Sequence, residues 1–380
     1  MLTETPAASV ATPRTAAVPG LQRTLTPMRR LTMTRLVLAL ACVLPAGCGT
    51  PYLLQAAGGE WQVLHEREPI DKVLADTNTT PELRAHLTQV RGAREFASRE
   101  LGLPDNNSYR SYADIGRPYV VWNVVAAPEY SVRPERWCFP VAGCVAYRGY
   151  FHEHEARAFA ARLVAQGYDV VIDGVPAYST LGKFADPVLS SMLPYGDDEL
   201  AATIFHELAH QLLYVSNDSE FNEAFATTVE EVGLERWLVY RGEGGRMQSF
   251  REQQAHERAL VRLLADTRAH LEHLYSSGLP REQIAAQKAE TFSALAADIR
   301  ALERREGVTH PLYEEWISAG LNNARLASVA TYYDCVPGFR RLLQQQDNDL
   351  TRFYAATREL AQLPRAERHA RLCTRGVDAD

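Results

Sequence analysis

The sequence from Asp197 to Val215 reads DDELAATIFHELAHQLLYV, and the interpretation of the whole chain starts from it. Its apolar residues recur every four positions, which predicts a helix. They cover so much of the circumference that we expect this helix to be largely buried. Three polar side chains, His206, Glu207 and His210, are nevertheless embedded in it. Because an unpaired charge in a buried helix is costly, these side chains need a partner.

The spacing of the three polar residues indicates what that partner is. His206 and His210 are four residues apart, so their imidazoles project from one helix face, one turn apart, and both can reach a single ion. Glu207 is offset by one residue and can hydrogen-bond a water on that ion. This H-E-x-x-H arrangement predicts two zinc ligands and a general base for hydrolysis. The sequence therefore predicts Zn²⁺ as cofactor. In the alternative interpretation, the two histidines are ordinary core residues and the glutamate lies on the surface.

A catalytic zinc site needs a third protein ligand, and the segment that follows offers one. Residues 216–237 read SNDSEFNEAFATTVEEVGLERW and predict a second helix, capped by Asp218 or Ser219. Glu223 lies among Phe and Ala residues and needs a partner, so we predict that it is the third ligand. Glu230 is seven residues further along the same face. It is the alternative ligand, or a hydrogen-bond acceptor for a histidine N–H.

Composition places limits on the remaining possibilities. The chain has 380 residues, of which 46% are hydrophobic and 23% charged, as in ordinary soluble globular proteins. Its formal net charge is −7, which disfavours nucleic acid as the main partner. Two further histidine pairs, His152 with His154 and His270 with His273, are interpreted as solvent-exposed side chains rather than ligands.

The N-terminal residues predict export. Residues 1–27 are rich in Thr, Pro and Ala and are predicted to be a disordered leader, or to precede a true start at Met28 or Met33. Residues 28–47 have the basic, apolar and small-residue parts of a signal peptide. Cys48 follows directly, as in a bacterial lipobox. We therefore expect an exported protein held at the periplasmic side of a membrane by a lipid on Cys48, with plain secretion as the alternative.

The rest of the chain predicts an α+β fold. Short runs rich in Val, Ile and Tyr between about 118 and 184 predict a small, mostly antiparallel sheet with one helix across it. Helical patterns occupy 60–102 and the segment from 197 onward, including a long hairpin at about 248–304. Residues 349–373 are predicted to form a terminal helix. We expect residues 48–380 to form a single, predominantly helical unit with the sheet beside the H-E-x-x-H helix.

The cysteines leave two questions open. Cys138 and Cys144 are six residues apart around a segment that can turn. A local disulfide, which an oxidising compartment permits, and two small buried apolar residues are equally consistent with this spacing. Cys335 and Cys373 are too far apart in sequence to be judged.

Longer stretches of the chain resemble known families. HELAH followed by FNEAFA resembles the gluzincin metallopeptidases, whose third zinc ligand is the glutamate of the second motif. The stretches at 137–151, 168–189 and 321–339 are similar to a family of bacterial lipoprotein aminopeptidases. The resemblance implies a zincin-like fold and a peptide substrate hydrolysed at its N-terminal bond. Endopeptidase action on short peptides, or a lipoprotein scaffold that uses zinc for stability alone, are the alternatives.

The same resemblance implies two further roles. A phenol commonly stabilises the oxyanion in gluzincins, and we assign it to Tyr332, with Tyr333 and Tyr178 as alternatives. An aminopeptidase also needs an acidic group for the substrate's ammonium. The candidates are Asp173, Asp186 and Glu220.

Overall fold

A computed structural model describes most of the chain. The description covers residues 50–139, 143–306, 313–333 and 335–373. The chain divides into a segment Met1–Tyr52 and a compact unit Leu53–Asp380, and the fold reported is that of the second unit. The predicted leader, signal peptide and lipidated Cys48 lie outside the described residues. None of the described helices is long and apolar enough to cross a membrane.

Helices make up most of the described chain. They are α1 (Thr50–Glu66), α2 (Ile70–Ala75), α3 (Pro81–Arg99), α4 (Glu153–Ala165), α5 (Asp197–Leu212), α6 (Ser219–Tyr240), α7 (Met247–Tyr275), α8 (Arg281–Arg305), α9 (Glu314–Ala319), α10 (Asn323–Tyr333), α11 (Val336–Gln345), α12 (Leu350–Ala361) and α13 (Arg365–Leu372). Two short 3₁₀ helices, Ser190–Tyr195 and Gly244–Arg246, precede α5 and α7. The predicted H-E-x-x-H helix is α5, and the predicted hairpin is the packed pair α7 and α8.

The strands form three small sheets. They are β1 (Glu68–Pro69), β2 (Ser111–Ala113), β3 (Val121–Pro128), β4 (Trp137–Phe139), β5 (Gly143–Val145), β6 (Arg148–Tyr150), β7 (Tyr168–Val175) and β8 (Val188–Leu189). The described strand orders are β1-β2-β8, β6-β3-β7 and β4-β5, and all pairs are antiparallel except β2 with β8. The α+β class with a small, mostly antiparallel sheet in a helical protein is confirmed.

The α5–α6 pair lies in the main core. Phe205 of α5 and Phe225 of α6 are both fully buried, and α5 also packs against α3. A Cβ at Gly233 of α6 would lie 2.8 Å from the Phe205 ring, so only glycine allows the two helices to approach this closely. At the start of α6, the Asp218 carboxylate accepts a hydrogen bond from the Phe221 N–H at 3.4 Å. The predicted cap of this helix is therefore Asp218.

The β6-β3-β7 sheet packs between helices distant from it in sequence. Helix α4, which connects β6 to β7, contacts β3 and β7, as the sequence pattern predicts. Helix α10 contacts the same two strands. The Asn323 side chain at the start of α10 donates to the carbonyl oxygens of Pro128 (3.2 Å) and Glu129 (2.8 Å). These bonds tie α10 to the end of β3.

The terminal helix differs from the prediction. The expected single helix at 349–373 is two helices, α12 and α13, separated at Pro364. Proline has no N–H to donate and disfavours the helical conformation at the residue before it, so α12 ends and a new helix begins. Asp349 caps α12 by accepting from the Arg352 N–H at 3.0 Å.

Both cysteine pairs are disulfides. Cys138 and Cys144 close the β4–β5 hairpin, which decides between the two alternatives that their spacing left open. The second bond joins Cys335 to Cys373, 38 positions apart, and ties the end of α13 to the start of α11. This long-range pairing had no local signal in the sequence.

Candidate metal centre

The two histidines of α5 and Glu223 of α6 meet at the contact between these helices. The Nε2 atoms of His206 and His210 are 3.1 Å apart. One oxygen of Glu223, Oε2, lies 3.3 Å from His206 Nε2 and 3.5 Å from His210 Nε2. All three side chains are mostly buried, with exposures of 16%, 7% and 13%. Three donor atoms of two types therefore converge on one point.

These distances match the ligand set of a zinc ion. Zinc in proteins is tetrahedral, with bonds of about 2.0–2.1 Å to nitrogen and oxygen, which places its ligand atoms about 3.3 Å apart. His206, His210 and Glu223 have this spacing without rearrangement. The His210 Nδ1 atom is buried and has no hydrogen-bond partner among the described residues, whereas its Nε2 faces the shared point. The residues present fit a divalent metal ion.

Glu230 lies behind His206. Its Oε2 atom is 2.8 Å from His206 Nδ1, the ring nitrogen on the side away from His210 and Glu223. Metal-binding histidines usually donate this second N–H to a carboxylate, which fixes the ring and raises the basicity of the ligand nitrogen. Of the two roles that the sequence left open for Glu230, its position corresponds to the hydrogen-bond acceptor.

The electrostatics of the cluster favour a cation. Burial disfavours a charged His206, but the hydrogen bonds that its ring donates to Glu223 and Glu230 hold the pKa of this imidazole well above its usual range. Burial alone would raise the pKa of Glu223, yet His210 and His206 hold it far below. No Arg or Lys forms an ion pair with Glu223 or Glu230 in the described part of the chain. The positive charge here comes from a proton or a metal ion.

Glu207 is positioned next to this cluster. It follows His206 on α5 and is half-buried. Among the residues that the structure describes, no hydrogen bond or ion pair involves its carboxylate. Its charge acts on His206 and on the buried tyrosines Tyr109 and Tyr147. The carboxylate is therefore beside the ligand atoms and available to a water or a substrate.

Two tyrosines that the sequence analysis did not single out, Tyr147 and Tyr214, are near the centre. Tyr332 lies in α10, but its side chain is outside the described residues. Tyr214 has its ring 6.3 Å from that of His210. Burial raises the pKa of both Tyr147 and Tyr214, and the Glu223 carboxylate adds to each shift. Tyr214 follows His210 by four residues but lies beyond the end of α5, so helical spacing does not explain its position. Nothing local marks Tyr147.

The β4–β5 hairpin holds the loop between α5 and α6 in place. The Asn217 side chain accepts a hydrogen bond from the Cys144 N–H at 2.8 Å, and its carbonyl accepts one from Arg136 at 3.0 Å. A Cβ at Gly143 would lie 2.7 Å from the Asn217 side-chain oxygen. The hairpin that Cys138 closes thus holds the segment joining α5 to α6.

The three acidic candidates for an ammonium site have different surroundings. Asp173 is held by both terminal nitrogens of Arg325, at 2.8 and 2.9 Å. Glu220 pairs with Arg365 at 3.0 Å. Asp186, in contrast, has no ion pair with a described residue and is only 2% exposed. Burial raises its pKa to about 6, and the charge of Glu207 adds to this effect.

Comparison with known proteins gives one result. The chain matches a family model described as "putative aminopeptidase" over residues 51–372, so it belongs to that family. The match covers every element named above except the first residue of α1. No curated protein and no solved structure matches significantly. The family description suggests peptidase activity for a fold that contains the His206–His210–Glu223 cluster.

Proposed function

We propose that the protein is a zinc-dependent aminopeptidase. The observation that carries the proposal is the cluster of His206, His210 and Glu223, whose ligand atoms have the mutual distances of a tetrahedral zinc site. Membership of the aminopeptidase family supports peptide hydrolysis as the reaction. The proposal assigns the three side chains as ligands and Glu207 as general base.

Each group has a separate role in the proposed reaction. When bound, zinc lowers the pKa of a water to about 7 and polarises the peptide carbonyl. Glu207 accepts the proton of the attacking water and then donates it to the leaving amine. Glu230 holds the His206 ring so that Nε2 points to the ligand position.

A structural zinc site is the rival from another functional class. Structural sites are normally closed by four protein ligands, whereas catalytic sites keep one position open. In the described residues, the metal-binding group at this point contains three side chains. A free carboxylate at Glu207 is also unnecessary in a structural site. Both observations favour catalysis over a scaffold.

Location outside the cytoplasm belongs to the same proposal. We infer that the protein is exported and anchored at the periplasmic side of a membrane by a lipid on Cys48. Two disulfides, Cys138–Cys144 and Cys335–Cys373, support an oxidising compartment. Labelling cells with a fatty-acid analogue tests the anchor: the label should enter the parent protein and be absent from Cys48→Ser.

The central test combines metal content with peptide cleavage. We expect about one zinc per molecule by elemental analysis and release of the N-terminal residue from short peptides. Glu207→Gln should retain the zinc and lower kcat/KM by about 10²–10⁴-fold, the usual contribution of a general base. Glu235→Gln on α6, outside the ligand group, is the matched control and should behave like the parent.

Each outcome has a distinct meaning. A folded parent without zinc would overturn the metal assignment. Zinc without any cleavage, or cleavage unaffected by Glu207→Gln, would overturn the catalytic one. Equal cleavage of a peptide and its N-acetylated form would replace the aminopeptidase by an endopeptidase.

A further inference from the structure

Three buried polar groups beside α5 have no role in the chemistry proposed above. They are Glu60 of α1, Tyr109 in the loop before β2, and Asp186 in the loop before β8. Asp186 reaches α5 directly, because its Oδ2 lies 3.5 Å from the side-chain nitrogen of Gln211, the residue after His210. The Tyr109 N–H donates to the Asp186 carbonyl at 2.6 Å. Asp186 and Tyr109 therefore adjoin the end of α5, and Glu60 is near Asp186.

Asp186 is a fixed negative charge. Thr180 donates to its carboxylate through the hydroxyl at 2.7 Å and through the backbone N–H at 3.1 Å. Although these bonds stabilise the ionised form, burial still raises the pKa of Asp186 to about 6. No cation in the described part of the chain pairs with this carboxylate. A positive charge close to it would be strongly favoured.

Glu60 adds a second carboxyl group that forms no ion pair with a described residue. It is half-buried, and its Oε2 atom is buried without a hydrogen-bond partner. Burial and the Asp186 charge raise its pKa to about 7, opposed by Arg67. Arg67 itself donates to the Ala185 carbonyl at 2.6 Å and is exposed. An exposed, already bonded guanidinium leaves the two carboxylates without a close partner.

The position of Glu60 is well determined by its helix. The neighbouring Gly59 packs on the Phe151 ring, where a Cβ would be only 2.0 Å away. Gln55 accepts from the Phe151 N–H at 3.1 Å and donates to the Gly149 carbonyl at 3.3 Å. Helix α1 is thus fastened to β6, and its glutamate faces inward beside Asp186.

Tyr109 adds a buried side chain on a strained backbone. Its φ of 60° is unusual for an aromatic residue and is tolerated only where surrounding contacts enforce it. The side chain is 1% exposed, and its buried hydroxyl lies near the Ser179 side chain. Burial raises its pKa well above the usual range, and Glu207 and Asp186 add to this effect. The hydroxyl therefore lies in the field of both carboxylates.

We propose that Glu60, Tyr109 and Asp186 form a subsite that binds the α-ammonium group of the peptide substrate. The buried Glu60 Oε2 atom there lacks a donor, and neither carboxylate forms an ion pair in the described part of the chain. An ammonium group brings one positive charge and three N–H donors. Because Glu207 acts electrostatically on Tyr109 and Asp186, an ammonium here is near the general base of the proposed reaction. The inference rests on the proposed function.

Binding in this subsite explains exopeptidase specificity. A free N-terminus brings a positive charge to the two carboxylates, whereas an acetylated one brings no charge and leaves the carboxylates buried and uncompensated. Discrimination of this kind, by groups left unpaired, is usually stronger than discrimination by shape. The other acidic candidates, Asp173 and Glu220, are already neutralised by Arg325 and Arg365.

The test compares Glu60→Gln with Glu66→Gln. Both residues lie on α1, but Glu66 is exposed and bonds only to Gln62 among the described residues. The substrates are one short peptide with a free N-terminus and its N-acetylated form. Glu60→Gln should lower kcat/KM for the free peptide by about 10- to 100-fold, the loss expected for a charged hydrogen bond, mainly through KM. The acetylated peptide and Glu66→Gln should show no change.

Inhibition provides a readout independent of turnover. Leucine amide should inhibit the parent competitively, and N-acetyl-leucine amide should not. The inhibition constant of leucine amide should rise in Glu60→Gln and in Tyr109→Phe, which removes the hydroxyl and keeps the ring. Zinc content and circular dichroism equal to the parent establish that each variant is folded, and Glu60→Asp replaces Glu60→Gln if the latter does not fold.

The two proposals fail in different ways. If the parent prefers free N-termini and folded Glu60→Gln keeps the same ratio of free to acetylated cleavage, the subsite is wrong and the aminopeptidase stands. If the parent cleaves both peptides equally, the exopeptidase itself is wrong, and the subsite falls with it.

Discussion

The first two turns of α6 carry two clusters that resemble each other in composition. At its start, Asp218 and Glu220 meet His369 of α13. One turn later, Glu223 meets His206 and His210. In each cluster, nitrogen and oxygen atoms from three histidine or carboxylate side chains lie within 4.8 Å of one another. By donor atoms alone, both are candidate metal sites.

The two clusters differ in the charged side chains that surround them. Arg368 donates to Asp218 through Nε at 2.8 Å and through its terminal nitrogen at 2.5 Å, and both side chains are buried. His369 lies 2.6 Å from the same carboxylate. Arg365 pairs with Glu220. The first cluster thus has its cations in the protein, so a metal ion there would meet two guanidinium groups.

The second cluster has no such cations in the described part of the chain. In the described residues, the ion pairs of Glu223 and of the adjacent Glu230 are all with histidines. The comparison teaches that convergent donor atoms are insufficient evidence for a metal site. A buried anionic cluster without its own counterion is the stronger signal, because burial of uncompensated charge is unfavourable.

The largest effect that tests this comparison is on metal affinity. Glu223→Ala should lower zinc affinity by more than about 100-fold, the upper end for residues that only support a ligand. Glu220→Ala, one turn earlier on α6, is the matched control and should retain the affinity of the parent. Competition with a chromogenic chelator measures both. Equal losses in the two variants would mean that the clusters are not functionally distinct.

Substitution in the first cluster should lower the stability of the protein rather than its zinc affinity. Asp218→Asn leaves Arg368 buried with its charge uncompensated, which should lower the free energy of unfolding by about 3–5 kcal/mol. Asp347→Asn, which breaks the exposed pair with Arg352, should change it by less than about 1 kcal/mol. Urea denaturation gives both values. Zinc content of folded Asp218→Asn should equal that of the parent, and its loss would contradict the distinction.

A smaller effect on zinc affinity is expected from Glu230, which lies behind His206. Glu230→Gln removes the charge that orients His206, so zinc affinity should fall by about 10- to 100-fold. The neighbouring Glu231 is bound to Arg340 and does not contact either histidine. Glu231→Gln should therefore leave zinc affinity unchanged. If Glu230→Gln also binds zinc as the parent does, the carboxylate does not support the ligand.

The smallest effect concerns acid stability. Burial alone would raise the pKa of Asp218, but the bonds from His369 and Arg368 outweigh it and hold this pKa below its usual range. The unfolded chain then binds the proton more readily, so this contribution is present above the unfolded pKa of about 4 and is lost as pH falls through the folded value. Denaturation series from pH 5 to 2 should show a shallower loss in Asp218→Asn. An unchanged slope would exclude Asp218 as the source.

Local patterns predicted most of the architecture. The strands around β3 and β7 and the hairpin α7–α8 follow from apolar periodicity bounded by Gly and Pro, which depends on neighbouring residues only. The division at Pro364 was also present in the sequence, but the helical pattern on both sides concealed it. The Cys335–Cys373 pair was not predictable, because no local property of either residue reports a partner 38 positions away.

The sequence by itself determined the positions of His206, Glu207 and His210 on one helix, since helical spacing is set by the backbone of a single segment. It also limited the third ligand to two glutamates. Only the tertiary structure placed Glu223 against both histidines and Glu230 behind one of them. It alone paired Asp218 with Arg368, 150 positions away, and left Glu60 and Asp186 without an ion pair among the described residues. The charge balance of a buried site depends on which residues pack around it. These residues are far apart in the sequence, and no local sequence pattern predicts that they come into contact.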